Sequence, residues 1–136
     1  MGDESSSGEA ARISAEALAA FARRALEAAE LPTRDAELVA KLMIEADLRG
    51  SDTHGVVRLP LYVRRLQAGG INARPNIRVL QDRAATALVD GDNAMGHLVM
   101  HYAASLAIEK ARAGGTRKTR SCWTWHPRWR LSARCG

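Results

Sequence analysis

The sequence has no apolar run that could cross a membrane and no secretory leader. A membrane-spanning helix needs about 20 apolar residues, whereas stretches such as residues 15–22 are shorter and contain charge. Residues 1–9 are acidic and rich in Ser and Gly, whereas a leader begins with basic residues and continues with an apolar segment. These absences predict a cytoplasmic protein without membrane contact, and a disordered tail over residues 1–12.

Motifs for dinucleotides, nucleoside triphosphates and metals are missing as well. No Gly-x-Gly-x-x-Gly follows a strand pattern and no P-loop is present, which argues against a Rossmann-type cofactor site. The two cysteines, Cys122 and Cys135, form no Cys-x-x-Cys pair. A metal site built from them and His126 would have scattered ligands. We therefore expect no bound metal, and two free thiols in a reducing compartment.

Acidic residues are absent from the last 21 residues, and this absence divides the chain. Residues 116–136 hold six of the 20 Lys and Arg, all three Trp and both Cys. Residues 1–115 therefore hold 14 basic and 15 acidic residues and are nearly neutral, although the whole chain has a net charge of +5. We expect one domain portion at residues 13–115 and a separate, disordered basic tail at residues 116–136.

The portion at residues 13–115 has the pattern of a mostly helical α+β protein. Apolar residues recur at helical spacing in three early segments, which Pro and Gly residues separate. Two short apolar stretches and a turn-forming Asp-Gly-Asp-Asn cluster follow, and then a last amphipathic segment. The predicted elements are helices at about 15–29, 34–49 and Leu59–Ala68, strands at Ile77–Leu80 and Thr86–Val89, and a final helix through Leu98, Tyr102, Leu106 and Lys110 that ends at Gly114 and Gly115.

Two residues are predicted to cap the first two helices. Ser14 and Thr33 precede the helical patterns, and a hydroxyl at the N-cap accepts a hydrogen bond from the first helical N–H groups. Helical spacing also predicts one buried face on the first helix. That face contains Leu18, Phe21, Ala22, Ala25 and Leu26.

A histidine lies in a polar turn between the second and third predicted helices. His54 follows Asp52 and Thr53, and Arg58 comes one helical turn later. An imidazole titrates near neutral pH and can transfer protons, and a guanidinium can bind a carboxylate through two N–H groups. The same turn could serve only to cap helices, with His54 satisfied by local backbone groups. The residues by themselves leave both interpretations open.

The segment from Glu45 to Gly70 resembles the N-terminal signature of the malate/L-lactate dehydrogenase type 2 family. The family pattern is roughly Ala-(Asp/Asn)-x-x-Gly-x-(Asp/Glu)-(Ser/Thr)-His-Gly-x-x-Arg-(Leu/Ile)-x-x-Tyr. Residues 89–93, Gly96 and residues 108–111 also agree, so the resemblance covers about residues 13–115. The matching signature positions are Ala46, Asp47, Gly50, Asp52, Thr53, His54, Gly55, Arg58, Leu59 and Tyr62.

The resemblance implies an oxidoreductase that transfers hydride between NAD or NADP and a small 2-hydroxy or 2-keto acid. It also implies a non-Rossmann α+β fold with a mostly antiparallel sheet, and a homodimer or larger assembly. Thr53 and His54 would then be catalytic, and Arg58 would bind the substrate. His97 and His101 match no family motif, so we expect them at the surface or in packing.

The resemblance further implies that much of a family member has no counterpart in this chain. Family members are more than twice as long, and the loop with another active-site histidine and the main cofactor-binding region are both missing. His126 lies in unrelated surroundings and receives no role. We therefore expect a truncated, inactive chain with an incomplete core. Its second helix would leave apolar residues uncovered, namely Leu38, Leu42 and Met43.

The segment 116–136 has two interpretations. Suppose that the reading frame is shifted so that each codon begins at the third base of the present one. The codons of Trp123 and Thr124 then overlap in a codon for Asp, and those of Trp125 and His126 overlap in a codon for Ala. This Asp and this Ala have the spacing of a downstream Asp-x-Ala segment of the family. The segment would then be out-of-frame translation after a frameshift. Alternatively, the chain is a non-enzymatic helical module whose basic, Trp-rich tail binds nucleic acid, with an affinity that falls steeply as salt rises.

Overall fold

The computed structural model describes residues 12–113 in full and the backbone of two further segments, Cys122–His126 and Arg130–Arg134. This part of the chain is a mostly helical α+β structure, as the sequence predicted. Within residues 12–113 the predicted element ends lie within one or two residues of the observed ones. The elements are α1 (Ala15–Ala28), α2 (Thr33–Leu48), α3 (Leu59–Gln67), β1 (Arg78–Asp82), β2 (Ala87–Asp90), α4 (Gly96–Ala113), β3 (Cys122–His126) and β4 (Arg130–Arg134).

The first two helices begin in different ways. Ser14 caps α1 as predicted, because Ala17 N donates to Ser14 Oγ at 3.2 Å. At α2 the prediction is wrong, since Pro32 is the N-cap and Thr33 is already the first helical residue. Pro32 has the extended backbone of an N-cap, with φ −55° and ψ 141°, and the proline ring favours this φ. Its carbonyl accepts from Ala36 N at 2.9 Å and closes the first turn.

The hydrophobic core lies where α1, α2 and α3 meet the start of α4. Its fully buried large side chains are Leu26 of α1, Val39 and Met43 of α2, and Met95 just before α4. Leu59 and Leu66, at the two ends of α3, close the cluster. Each fully buried apolar side chain of this size contributes about 1.5–3 kcal/mol relative to exposure.

Two predictions about burial are wrong. Met43 is 0% exposed, and Leu38 and Leu42 are half-buried, because α1 and α4 cover the face of α2 that was expected to lack a partner. Phe21 was placed on the buried face of α1, but it is 61% exposed, while its neighbour Ala22 is fully buried. The core contact of α1 runs through Ala22 and Leu26, so Phe21 lies outside the contact stripe.

Two loops hold the end of α3 beside the start of α4. Asn93 Nδ2 donates to Gly70 O at 3.2 Å, and Asn72 N donates to Asn93 O at 2.9 Å. Asp92 Oδ2 accepts from Asn72 Nδ2 at 3.0 Å and from Asn76 N at 2.9 Å. Asp92 and Asn93 have positive φ angles, 47° and 54°, a conformation that Asp and Asn adopt more readily than most residues. The predicted Asp-Gly-Asp-Asn turn is thus confirmed, and it joins the two helices.

The sheet is antiparallel throughout, with the order β1-β2-β4-β3. The pairing of β1 with β2 shifts register between Val79 and Gln81, which marks a bulge. Lys110 of α4 donates to the carboxylate of Asp82 and to Arg83 O. This contact fastens the β1–β2 hairpin to the last turns of α4.

Strands β3 and β4 lie in a segment for which the sequence predicted no regular structure. Cys122–His126 pairs with Arg130–Arg134, and the latter pairs with β2. Trp and Thr have high strand propensity, and the side of β2 that does not pair with β1 offers N–H and C=O groups to β4. The side chains of residues 116–136, on which the nucleic-acid and metal interpretations depend, lie outside the described residues, as do residues 1–11. The frameshift interpretation depends on codons and remains a prediction.

Two searches of the described residues add to this account. None of their helices combines the length and the apolar character that a membrane crossing would require. They also contain no cluster of three His, Cys, Asp or Glu side chains with the arrangement of metal ligands.

Candidate active site

The polar turn between α2 and α3 lies where the sequence predicted it. Gly50, with φ 73°, follows the C-cap of α2 in the left-handed conformation that costs glycine little. Two short 3₁₀ turns follow, Asp52–His54 and Val56–Arg58, and α3 begins at once with Pro60 in its first turn. The structure therefore brings Thr53, His54 and Arg58 together on one surface turn, where all three are exposed.

The last turn of α2 fixes the polar turn through Asp47. Val56 N donates to Asp47 Oδ2 at 2.9 Å. A Cβ added at Gly55 would lie only 1.5 Å from Asp47 Oδ1, so glycine is required for this approach. The sequence matched both residues to the family pattern but gave them no function. Their contact places the backbone immediately after His54.

Thr53 and Ser51 both contact the same nitrogen of His54. Thr53 Oγ1 lies 3.1 Å from His54 Nδ1, and Ser51 Oγ lies 3.4 Å from it. A hydroxyl can donate to a neutral imidazole nitrogen or accept from a protonated one, so Thr53 suits both protonation states. Among the described residues, the hydrogen bonds to this ring use Nδ1. This leaves Nε2 for a ligand.

Arg58 is anchored to the same turn by its inner nitrogen. Arg58 Nε donates to Thr53 O at 2.8 Å. The two terminal nitrogens of the guanidinium make no ion pair among the described residues, so they can bind an anion with both N–H groups. Thr53 thus contacts both predicted partners, His54 through its hydroxyl and Arg58 through its carbonyl.

His97 lies close to this turn, which the sequence did not predict. Its half-buried ring meets the ring of Tyr62 edge-on, with 5.4 Å between centroids and an interplanar angle of 89°. Burial lowers the pKa of His97 below its ordinary value, and nearby His54 lowers that pKa further. The packing role expected for His97 is confirmed, and His101 is exposed as expected. In the sequence, the position of His97 next to the apolar Leu98 could indicate partial burial of His97. No pattern in the sequence pairs His97 with Tyr62.

The turn presents an imidazole and a guanidinium at one exposed position. His54 can give or take a proton at Nε2, and Arg58 can hold a carboxylate beside the same turn. Both groups are oriented by the same residue, Thr53. A small acid whose reacting oxygen lies next to its carboxylate would fit such a pair.

Comparison with known proteins agrees with the motif. A family model for malate/L-lactate dehydrogenase matches residues 13–118. The malate dehydrogenase of Pyrococcus abyssi is 44% identical over 104 residues, and the L-sulfolactate dehydrogenase of Methanocaldococcus jannaschii is 40% identical over 85 residues. These alignments cover 76% and 62% of this chain. The solved malate dehydrogenase of Pyrococcus horikoshii OT3 is 40% identical, covers 77% of the chain and superposes with a TM-score of 0.74.

The shared region is a limited part of each relative. The aligned region spans 29% of the Pyrococcus abyssi protein and 25% of the Methanocaldococcus jannaschii protein, and 30% of the solved chain. Within this region the signature residues and the fold both match the malate/L-lactate dehydrogenase relatives. The chain belongs to the malate/L-lactate dehydrogenase family of oxidoreductases.

Proposed function

We propose that this chain provides the proton-transfer and carboxylate-binding part of an NAD(P)-dependent 2-hydroxyacid dehydrogenase. The observation that carries the proposal is that Thr53 contacts both His54 and Arg58, at 3.1 and 2.8 Å. These are the two groups that such a reaction needs besides a hydride carrier. The relatives named above are dehydrogenases of malate and L-sulfolactate, and both of these compounds are 2-hydroxy acids.

His54 is the proton-transfer residue in this proposal. During oxidation of the 2-hydroxy acid, Nε2 takes the hydroxyl proton while hydride leaves C2. During reduction of the 2-keto acid, the protonated Nε2 returns the proton to the C2 oxygen. When the ring is protonated, Nδ1–H can donate to Thr53 Oγ1, which lies 3.1 Å away.

Arg58 is the substrate-binding residue. Its Nε is held by Thr53 O, which limits rotation of the guanidinium and leaves the terminal nitrogens for a substrate carboxylate. A bidentate guanidinium–carboxylate contact fixes both position and angle. The C2 oxygen next to that carboxylate would then lie close to His54.

The described residues fit the reacting end of a nicotinamide cofactor. When bound, the nicotinamide ring supplies the hydride acceptor or donor. Thr53, His54 and Arg58 provide proton transfer and substrate binding beside that ring. The turn contains no glycine-rich stretch ahead of a helix that could bind the pyrophosphate. Groups for the phosphates therefore have to come from outside this turn.

The exposure of the site has a further consequence for activity. His54, Thr53 and Arg58 are all exposed to water, whereas hydride transfer proceeds in a site from which water is excluded. We infer that the 136-residue chain alone does not turn over substrate. The family resemblance also leads us to infer that the active form is a homodimer or larger assembly, which light scattering of the purified protein would measure.

One experiment tests inactivity of the isolated chain. Purified protein is mixed with NADH or NADPH and a panel of 2-keto acids, and absorbance at the nicotinamide band is followed. We expect no oxidation above the blank. Turnover that persists in the wild type and disappears in H54Q would contradict the inferred inactivity and support the role of His54.

A second experiment tests the site in a closed active centre. Residues 13–113 replace the corresponding segment of the Pyrococcus abyssi malate dehydrogenase, which is 44% identical in this region. We expect an active chimera in which H54Q lowers kcat/KM by about 10²–10⁴-fold, the usual contribution of a general acid or base. R58K should mainly raise KM, because lysine cannot make the bidentate contact. H101Q, on an exposed residue, is the matched control. An active chimera that tolerates H54Q as well as H101Q would refute the proposal.

A further inference from the structure

We propose that His97 is a positioning residue of this site: its ring fixes Tyr62, and through Tyr62 the start of α3, whose N-cap is Arg58. The functional importance of Arg58 rests on the function proposed above. The contact itself rests on the ring geometry, which places the two rings edge to face at 5.4 Å. Pairs of this geometry stabilise beyond the area that they bury.

Arg58 is the N-cap of α3, and Tyr62 lies in the first turn of that helix. They are four residues apart, which is about one helical turn, so a contact at Tyr62 also restrains Arg58. The helix has only nine residues, and a helix of this length depends on tertiary contacts for its stability. At its C-terminal end Gly70 is held by Asn93. The pairing of Tyr62 with His97 restrains the same helix nearer to Arg58.

The environment of His97 indicates packing rather than hydrogen bonding. Its Nδ1 is buried and has no hydrogen-bond partner among the described residues. Such nitrogens are uncommon and are costly to charge. Burial and the proximity of His54 both lower the pKa of His97, which favours the neutral form of the ring. The positive charge of the site is then carried by Arg58 and by His54 when protonated.

The test uses NMR on the full 136-residue chain. The reporters are the Tyr62 ring protons and Arg58 Nε–H, whose exchange with water measures the hydrogen bond to Thr53 O. The variants are H97A, which removes the ring, and H97F, which keeps an aromatic ring without nitrogens. H101A is the matched control, because His101 lies one turn further along α4 and is exposed.

We expect H97A to shift the Tyr62 ring signals and to speed exchange of Arg58 Nε–H. H97F should restore both reporters, and H101A should leave both unchanged. The proposal is overturned if H97A leaves Arg58 Nε–H as in the wild type, or if H101A changes it to the same extent. If H97A does not fold, H97F decides the matter, because loss of the Arg58 signal in this ring-preserving variant contradicts the proposal.

These outcomes are distinguishable from failure of the proposed function. The NMR reporters measure the position of Arg58 without any turnover. If H97A releases Arg58 Nε–H while R58Q leaves the activity of the chimera intact, then the positioning role stands and the dehydrogenase assignment of Arg58 falls. If the chimera requires Arg58 but H97A does not change the exchange of Arg58 Nε–H, then the substrate-binding role of Arg58 stands and the positioning role of His97 falls.

Discussion

Asp47 and Gly55 approach each other so closely that the carboxylate occupies the space of a side chain at Gly55. A Cβ there would lie 1.5 Å from Asp47 Oδ1, and Asp47 Oδ2 accepts from the next residue, Val56, at 2.9 Å. The end of α2 therefore determines the path of the chain directly after His54. The geometry of the candidate site depends on this contact between two residues outside the predicted catalytic and substrate-binding set.

We expect G55A to destabilise the protein, because the new methyl group collides with Asp47. Overpacking of this kind costs about 1–3 kcal/mol in the free energy of unfolding, which urea denaturation measures. G96A is the control, since no atom lies within 4 Å of the corresponding Cβ position. In the D47A background the collision partner is gone, so G55A should cost less there. Equal losses in both backgrounds would show that the collision is not the cause.

The sequence predicted which candidate residues lie together better than it predicted what surrounds them. Thr53, His54 and Arg58 are close in the chain, so a motif and a helical turn sufficed to group them. The ends of the helices were predictable for the same reason, because Pro and Gly act locally. Burial of Met43 and the pairing of Tyr62 with His97 depend on which helices meet. Such contacts join distant positions, and no local pattern of one sequence encodes them.

The Thr53 hydroxyl should support proton transfer by His54. In the chimera we expect T53V to lower kcat by roughly threefold to tenfold, which corresponds to one hydrogen bond of about 0.5–1.5 kcal/mol. T53S keeps the hydroxyl and should retain most of the activity. S51A should have a smaller effect, because Ser51 Oγ lies 3.4 Å from Nδ1 and Thr53 Oγ1 lies 3.1 Å from it. This order would be contradicted if steady-state kinetics gave S51A a lower kcat than T53V.

The stability of the fold should fall on acidification because of His97. In the unfolded chain its pKa is about 6.5, and in the folded protein burial, followed by the charge of His54, lowers that pKa. Well above pH 6.5, His97 is neutral in both the folded and the unfolded chain, so it adds no pH dependence to the free energy of unfolding. Below pH 6.5 the unfolded state binds the proton first, so stability declines as the pH falls through the lowered folded pKa.

Urea unfolding at pH 7.5 and pH 5 measures this dependence. H97Q should lose less stability between the two pH values than the wild type loses. H54Q should also reduce the loss, since it removes the second cause of the lowered pKa. H101Q is the control and should behave as the wild type. An H97Q variant with the full wild-type loss would assign the effect to other groups.

Lys110 should matter more than an ordinary surface lysine. It donates to the Asp82 carboxylate and to Arg83 O, and its side chain is 17% exposed, whereas that of Asp82 is 65% exposed. Because Asp82 is well hydrated, we expect K110M to cost only about 1 kcal/mol of unfolding free energy. R49M removes an exposed pair with Glu45 at 3.6 Å and should cost less than about 0.5 kcal/mol. The prediction fails if thermal denaturation gives both variants the same loss.

The hydrogen bonds that shape the turn around His54 have one more property, which is their short range along the chain. They join Ser51, Thr53 and His54 to one another, Thr53 to Arg58, and Asp47 to Val56, with at most nine positions between partners. Short loops close at low entropic cost and on a submicrosecond timescale. During synthesis on the ribosome, this turn can therefore organise as soon as α3 has emerged, before α4 and the sheet exist. We therefore expect the turn around His54 to form early in folding, whereas the pairing of Tyr62 with His97 has to wait for α4.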